Sequence, residues 1–83
     1  LQAMPNPFTR QLAVEFSLPR SSNVRLELID LHGRILPQVI LDPRHAPGQH
    51  RYDLRTSDLA AGVYYARLQV DGQMETVKVV KVE

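Results

Sequence analysis

The sequence has no cysteine and no tryptophan, only four glycines, and an aromatic content of 6%. Without cysteine there is neither a disulfide nor a thiolate metal site, so the fold has to rest on packing and hydrogen bonds, and the redox compartment stays open. An excess of one charge is missing too: ten basic residues face nine acidic ones, for a net charge of +1. Eight of the ten are arginines dispersed from Arg10 to Arg67, which argues against the clustered positive surface that nucleic acid demands. No apolar run approaches the ~20 residues of a membrane-spanning helix, and the first residues have no basic start followed by an apolar stretch. The chain begins at Leu1, which suggests a segment cut from a longer protein whose own N-terminus would carry any signal peptide.

Catalytic signatures are equally scarce. There is no Gly-x-Ser-x-Gly elbow, phosphate-binding glycine loop or His-Glu-x-x-His pair, and the carboxylates are scattered singly through turns and strand faces. A domain of 83 residues buries only roughly 60–65% of the surface its unfolded chain exposes, which leaves a thin core and little room for a pocket. The reading is therefore of a non-enzymatic protein with no cofactor.

What the chain does have is alternation. Hydrophobic residues make up 43% and charged residues 23%, the balance of a folded domain. From residue 11 to 18, Leu12, Val14, Phe16 and Leu18 fall on one face of a strand and Gln11, Ala13, Glu15 and Ser17 on the other, before Pro19 ends it. Val24, Leu26 and Leu28 alternate with Arg25, Glu27 and Ile29 in a second strand, and Asp30-Leu31-His32-Gly33 turns the chain. Residues 34–41 read as a third strand in which Pro37 requires a sheet edge or a bulge. The proline-rich stretch 42–48 reads as a surface loop, residues 49–54 as a short strand, and residues 56–61 as able to form one helical turn.

The remainder is organised around Gly62-Val63-Tyr64-Tyr65. Gly62 supplies a backbone freedom that other residues lack just before a strongly β-prone run. Tyr64, Ala66, Leu68 and Val70 face a core, Asp71-Gly72 closes a hairpin, and residues 73–82 return as the last strand. Lys78 and Lys81 fall on its opposite faces, so one of them has to turn from solvent. Short strands with turns every eight to twelve residues give an all-β fold, a sandwich of about six to seven antiparallel strands.

His32, His45 and His50 lie in or beside separate turns and read as solvated loop histidines, with Asp42, His45, His50 and Asp53 only a weak metal alternative. Tyr52, Tyr64 and Tyr65 read as packing residues in preference to a sugar-binding platform. Pro5-Asn6-Pro7-Phe8 is a stiff proline-rich lead-in, with Phe8 plugging its end.

Taken in order, Pro5-Asn6-Pro7-Phe8, the strand ending Leu18-Pro19, the run from Val24 to Gly33, Ala46-Pro47-Gly48-Gln49-His50, Leu59-Ala60-Ala61-Gly62-Val63-Tyr64-Tyr65 and Val77-Lys78-Val79-Val80 resemble the C-terminal sorting domain of the type IX secretion system, found in bacteria of the Bacteroidetes group. The resemblance covers nearly the whole chain. It departs from the family in having Met4 where an aromatic residue often stands and in a terminal run interrupted by Lys81 and ending in Glu83.

The resemblance implies an immunoglobulin-like β-sandwich over residues 1–83, with residues 1–8 leading in from a covalently linked passenger. It implies passage through the periplasm and then an outer-membrane translocon with its shuttle protein, and a destination at the cell surface or outside. Removal of the domain by a sortase-like peptidase would follow. By position it assigns the sorting signal to Pro5, Asn6, Pro7, Gly62, Tyr64, Gly72, Lys78, Val79 and Val80. A homodimer through edge strands is a further expectation. The alternative is an immunoglobulin-like accessory module that binds carbohydrate or spaces an enzyme from the surface.

Overall fold

The period-2 alternation of the chain becomes two antiparallel sheets packed face to face. The computed structural model describes residues 1–37 and 40–82. Its strands are β1 (Gln2–Met4), β2 (Gln11–Leu18), β3 (Ser22–Asp30), β4 (Ile40–His45), β5 (Gly48–Arg55), β6 (Gly62–Val70) and β7 (Gln73–Lys81). One sheet has the order β1-β2-β5 and the other β4-β3-β6-β7. The result is an all-β sandwich with no helix among the described residues.

The core lies between the sheets and takes the residues that the alternation points inward. Leu12, Val14, Phe16 and Leu18 of β2 meet Val24, Leu26 and Leu28 of β3, with Leu54, Tyr64, Ala66, Leu68 and Val79 completing the cluster. Phe8, Leu12, Val14, Ala66 and Val79 are fully buried. Lys81 is the lysine of β7 turned inward, with 7% of its surface exposed, and Lys78 is exposed.

Three sequence expectations need correction. The third strand does not span 34–41. Ile35 makes an isolated bridge to Ile29, residues 38 and 39 of that expectation lie outside the described residues, and β4 starts at Ile40. Residues 42–45, expected in a loop, belong to β4. Pro43 is tolerated there because β4 is a rim strand, where a missing N–H costs no ladder bond on the outer side. Residues 56–61 form a turn and not a helix: Leu59 N–H donates to the Thr56 carbonyl at 3.1 Å, while Thr56 N–H donates to Arg10 and its hydroxyl to Thr9. Those two tethers hold Thr56 to the end of β2's approach and leave no length for a helix.

The histidines are also not all solvated. His45 is buried to 4% exposure, its Nε2 2.5 Å from the Tyr52 hydroxyl and its Nδ1 3.1 Å from the Ala46 carbonyl. The His50 ring centre lies 4.0 Å from that of His45, and Phe16 stacks on Tyr52 beside them. The two-residue turn between β4 and β5 brings His45 back over His50, a juxtaposition that depends on β4 being a strand. Only His32 remains an exposed turn histidine.

A carboxylate expected on a polar face is buried. Glu27 is 2% exposed on the outward side of β3, with Arg25 Nε donating to its Oε2 at 2.6 Å and Arg67 Nη2 to its Oε1 at 2.6 Å. Burial pushes the Glu27 carboxyl up, but the hydrogen bonds and charges of Arg67 and Arg25 outweigh it and hold the group below the usual carboxylate range. A lowered folded value contributes stability that is present above about pH 4.5 and is lost as pH falls through the folded value. Glu27→Gln is therefore expected to flatten the fall in melting temperature between about pH 5 and 3. At neutral pH it should cost about 1–2 kcal/mol, below the figure for a fully buried pair because both arginines reach solvent. Thermal unfolding followed by circular dichroism across that range checks both.

Candidate functional site

β6 and β7 form a hairpin whose turn is set by two residues with positive φ, Asp71 at 48° and Gly72 at 87°. Both values suit a two-residue turn that follows the natural twist of its strands. Val70 pairs with Gln73 beside the turn and Gly62 with Lys81 at the far end, so the hairpin is about 26 Å long at the usual rise per residue. One side of β7 is saturated by β6. The other is the rim of the four-stranded sheet.

The N-terminal segment closes half of that rim. Residues 2–4 pair with β2 in one sheet, and then the chain switches to β7 of the other. Pro5 and Pro7, both preceded by cis peptide bonds, stand at the switch, and having no N–H they can donate to neither ladder. Asn6 between them uses its side chain as a strand would use its backbone. Its Oδ1 accepts from Val80 N–H at 3.0 Å, and its Nδ2 donates to the Lys78 carbonyl at 3.2 Å. Phe8 continues with its backbone: its N–H donates to the Val80 carbonyl and its carbonyl accepts from Val82 N–H, both at 2.9 Å. The outward groups of β7 from Lys78 to Val82 are thereby satisfied. Asn6→Ala should lower stability by about 1 kcal/mol, one exposed pair of hydrogen bonds, and amide exchange at Val80 should speed up with little change at amides of β2.

Tyr64 and Gly62 support the same end from within. Tyr64 is 7% exposed, its hydroxyl donates to the Ala60 carbonyl at 2.6 Å, and its ring lies 6.4 Å from that of Phe8. The bond ties the turn before β6 to the core. Gly62 has a φ of 151° with open space where a side chain would project, so backbone conformation and not crowding favours glycine there. Of the residues assigned by resemblance, Pro5, Asn6, Pro7, Gly62, Tyr64, Lys78, Val79 and Val80 gather at this end, and Gly72 lies at the opposite end of the hairpin.

Other candidates separate. Tyr52 sits with His45 and Phe16, Tyr64 is in the core, and Tyr65 is on the outer face of the four-stranded sheet opposite Ile29 and Lys78, so the three do not share a platform. His45 and His50 come together, but no group of three or more metal-binding side chains forms among the described residues. Sequence reasoning missed the Asn6 clamp and the buried Glu27. A residue flanked by two prolines hinted at the first; nothing local marks Glu27 apart from Arg25 two positions before it.

No helix of the described chain is long and apolar enough to cross a membrane. No curated protein matches the chain. A family model described as the secretion system C-terminal sorting domain matches residues 2–82, a span that includes both the Asn6 segment and β7. By that match the chain belongs to the C-terminal sorting domain family of the type IX secretion system, a signal carried by proteins destined for the cell surface or beyond.

Proposed function

We propose that this domain directs an attached passenger from the periplasm across the outer membrane, and that the surface read by the machinery is the end of the sandwich where β7 meets residues 5–8. The observation that carries this reading is the Asn6 clamp, which joins positions 72 and 74 residues apart. Two motifs at opposite ends of the sequence become one surface only in the folded domain. The partners on this reading are the outer-membrane translocon and its shuttle protein, and a sortase-like peptidase that removes the domain afterwards. Residues 2–4 and 6–8 are hydrogen-bonded into the sheets, so a peptidase acting on the folded domain would cut ahead of them. The strand orders support an immunoglobulin-like label.

The rims left for an edge-strand homodimer are those of β1, of β5 and of β7 from Gln73 to Val77. The rim of β7 is closed from Lys78 to Val82. That of β4 is blunted, because Pro43 has no donor and the Arg44 N–H is taken by the Asp42 carboxylate at 3.0 Å.

The test is export of a reporter that carries a signal peptide at its start and residues 1–83 at its end, in a type IX-competent host and a translocon-deficient twin. Appearance outside the cell in the competent host alone is the expected result. Retention in the periplasm of both, with the domain folded, would sink the reading.

A further inference from the structure

The two sandwich faces that look outward differ in kind. On the three-stranded sheet the outward residues are mostly polar, among them Gln11, Glu15, Ser17, Gln49, Arg51 and Asp53, with Ala13 and Met4 the apolar exceptions. On the four-stranded sheet they are mixed, with a polar row of Glu27, Arg67 and Thr76 and an apolar group of Ile29, Val63, Tyr65 and Val80 towards one end. The exposed large hydrophobic residues of the described chain are Leu31, Ile35, Leu41, Met74 and Val82, and register puts them on or at the rim of that one face. Ile35 is opposite Ile29, Leu41 is opposite Arg25, and Met74 is opposite Gln69. Val82 follows Val80, which is opposite Val63, and Leu31 lies in the adjoining turn. Half-buried Val63, Tyr65 and Val80 join Leu31, Ile35 and Val82 at one end, and Leu41 and Met74 flank Arg25 and Gln69 at the other. No second layer covers these side chains among the described residues. An apolar patch left open on a sheet face in this way marks a contact surface.

Its charge says what it contacts. Glu27, the one carboxylate at the outward positions of these rows, is buried under Arg25 and Arg67, so the charge presented outward is that of Arg25, Arg67 and Lys78. Glu27 also tethers both guanidiniums by hydrogen bonds, which lowers the entropy lost on docking. A second copy laid face to face would set cations against cations, which opposes self-association.

We infer that the outer face of the four-stranded sheet docks a protein surface that sets an apolar patch against the Ile35, Tyr65 and Val80 end and carboxylates against Arg25, Arg67 and Lys78 beside it. The inference rests on the secretion reading and assigns to the machinery a contact broader than the terminal strand. Lys78 and Val80 belong to both surfaces, because the side chains of β7 that flank the Asn6 clamp project onto this face.

The experiment places three changes separately in the export reporter: Ile35→Ser, Met74→Ser and Lys78→Gln. Ile35 and Met74 are 45% and 57% exposed and Lys78 is exposed, so cooperative thermal unfolding is retained. The control is Gln11→Glu on the opposite face, which changes net charge as Lys78→Gln does. Export is expected to fall about tenfold or more in each face variant, the equivalent of ~1.4 kcal/mol in docking, and to stay within about twofold in the control. Face variants that are folded and exported like the parent overturn the inference, whereas a parent chain that is not exported overturns the secretion reading instead. Two further measurements use the purified domain. Binding to phosphatidylglycerol–phosphatidylcholine vesicles that is lost in Ile35→Ser would replace the protein partner with a membrane. A dimer in sedimentation equilibrium that is lost in the same variant would replace it with a second copy.

Discussion

Phe8→Ala is expected to lower the unfolding free energy by about 3–5 kcal/mol, the range for removing a fully buried aromatic side chain. Phe8 is completely buried although it lies outside every regular strand. It packs within the cluster that includes Leu12, Tyr64 and Val79 and is the apolar anchor of the segment that closes the rim of β7. For a small domain with about 5–15 kcal/mol in total, the loss is a large fraction. Urea unfolding followed by circular dichroism measures it. Amide exchange at Val80 and Val82 reads the second consequence, since both donate to the segment that Phe8 holds in place. A loss under about 1 kcal/mol would mean that the segment is held by its hydrogen bonds alone.

Ending the chain after Val70 is expected to abolish both export and cooperative unfolding. β7 pairs with β6 along its whole length, from Val70↔Gln73 to Gly62↔Lys81. It supplies the fully buried Val79, and its rim carries the bonds from Asn6 and Phe8. Without it β6 becomes an open rim with Tyr64, Ala66 and Leu68 poorly covered. Loss of export on truncation thus cannot by itself separate recognition from folding. Lys78→Gln in the intact chain makes that separation, because the side chain is exposed and the backbone bonds are untouched. A truncated chain that still reaches the medium would remove β7 from the signal, and one that still unfolds cooperatively would show that the fold does not need β7.

The candidate site was legible in its members and not in its shape. Resemblance supplied Asn6, Tyr64 and Lys78, but nothing in a linear reading shows that one amide side chain would hold Lys78 and Val80 together. The fold was most legible where alternation is unbroken. β2 runs over the expected residues 11–18, and β6 buries Tyr64, Ala66 and Leu68 on the face the pattern indicated. It was least legible over 34–48, where Pro37, Pro43 and Pro47 look alike locally but differ in surroundings. Pro43 is acceptable in a strand because that strand has no outer neighbour, a condition fixed by sheet order.

Local sequence alone dictates the all-β class, the inward faces of β2, β3 and β6, the Asp71-Gly72 turn and the need to hold the fold without disulfides. Each follows from side-chain period, turn conformation or composition, which act over a few residues. Tertiary structure alone decided that the N-terminal segment closes the rim of β7, that Glu27 is buried between two arginines, that His45 lies over His50, and that one outer face has an apolar end. Those depend on which strands are neighbours and in what register, a choice made by the packing of the whole core between residues far apart in the chain.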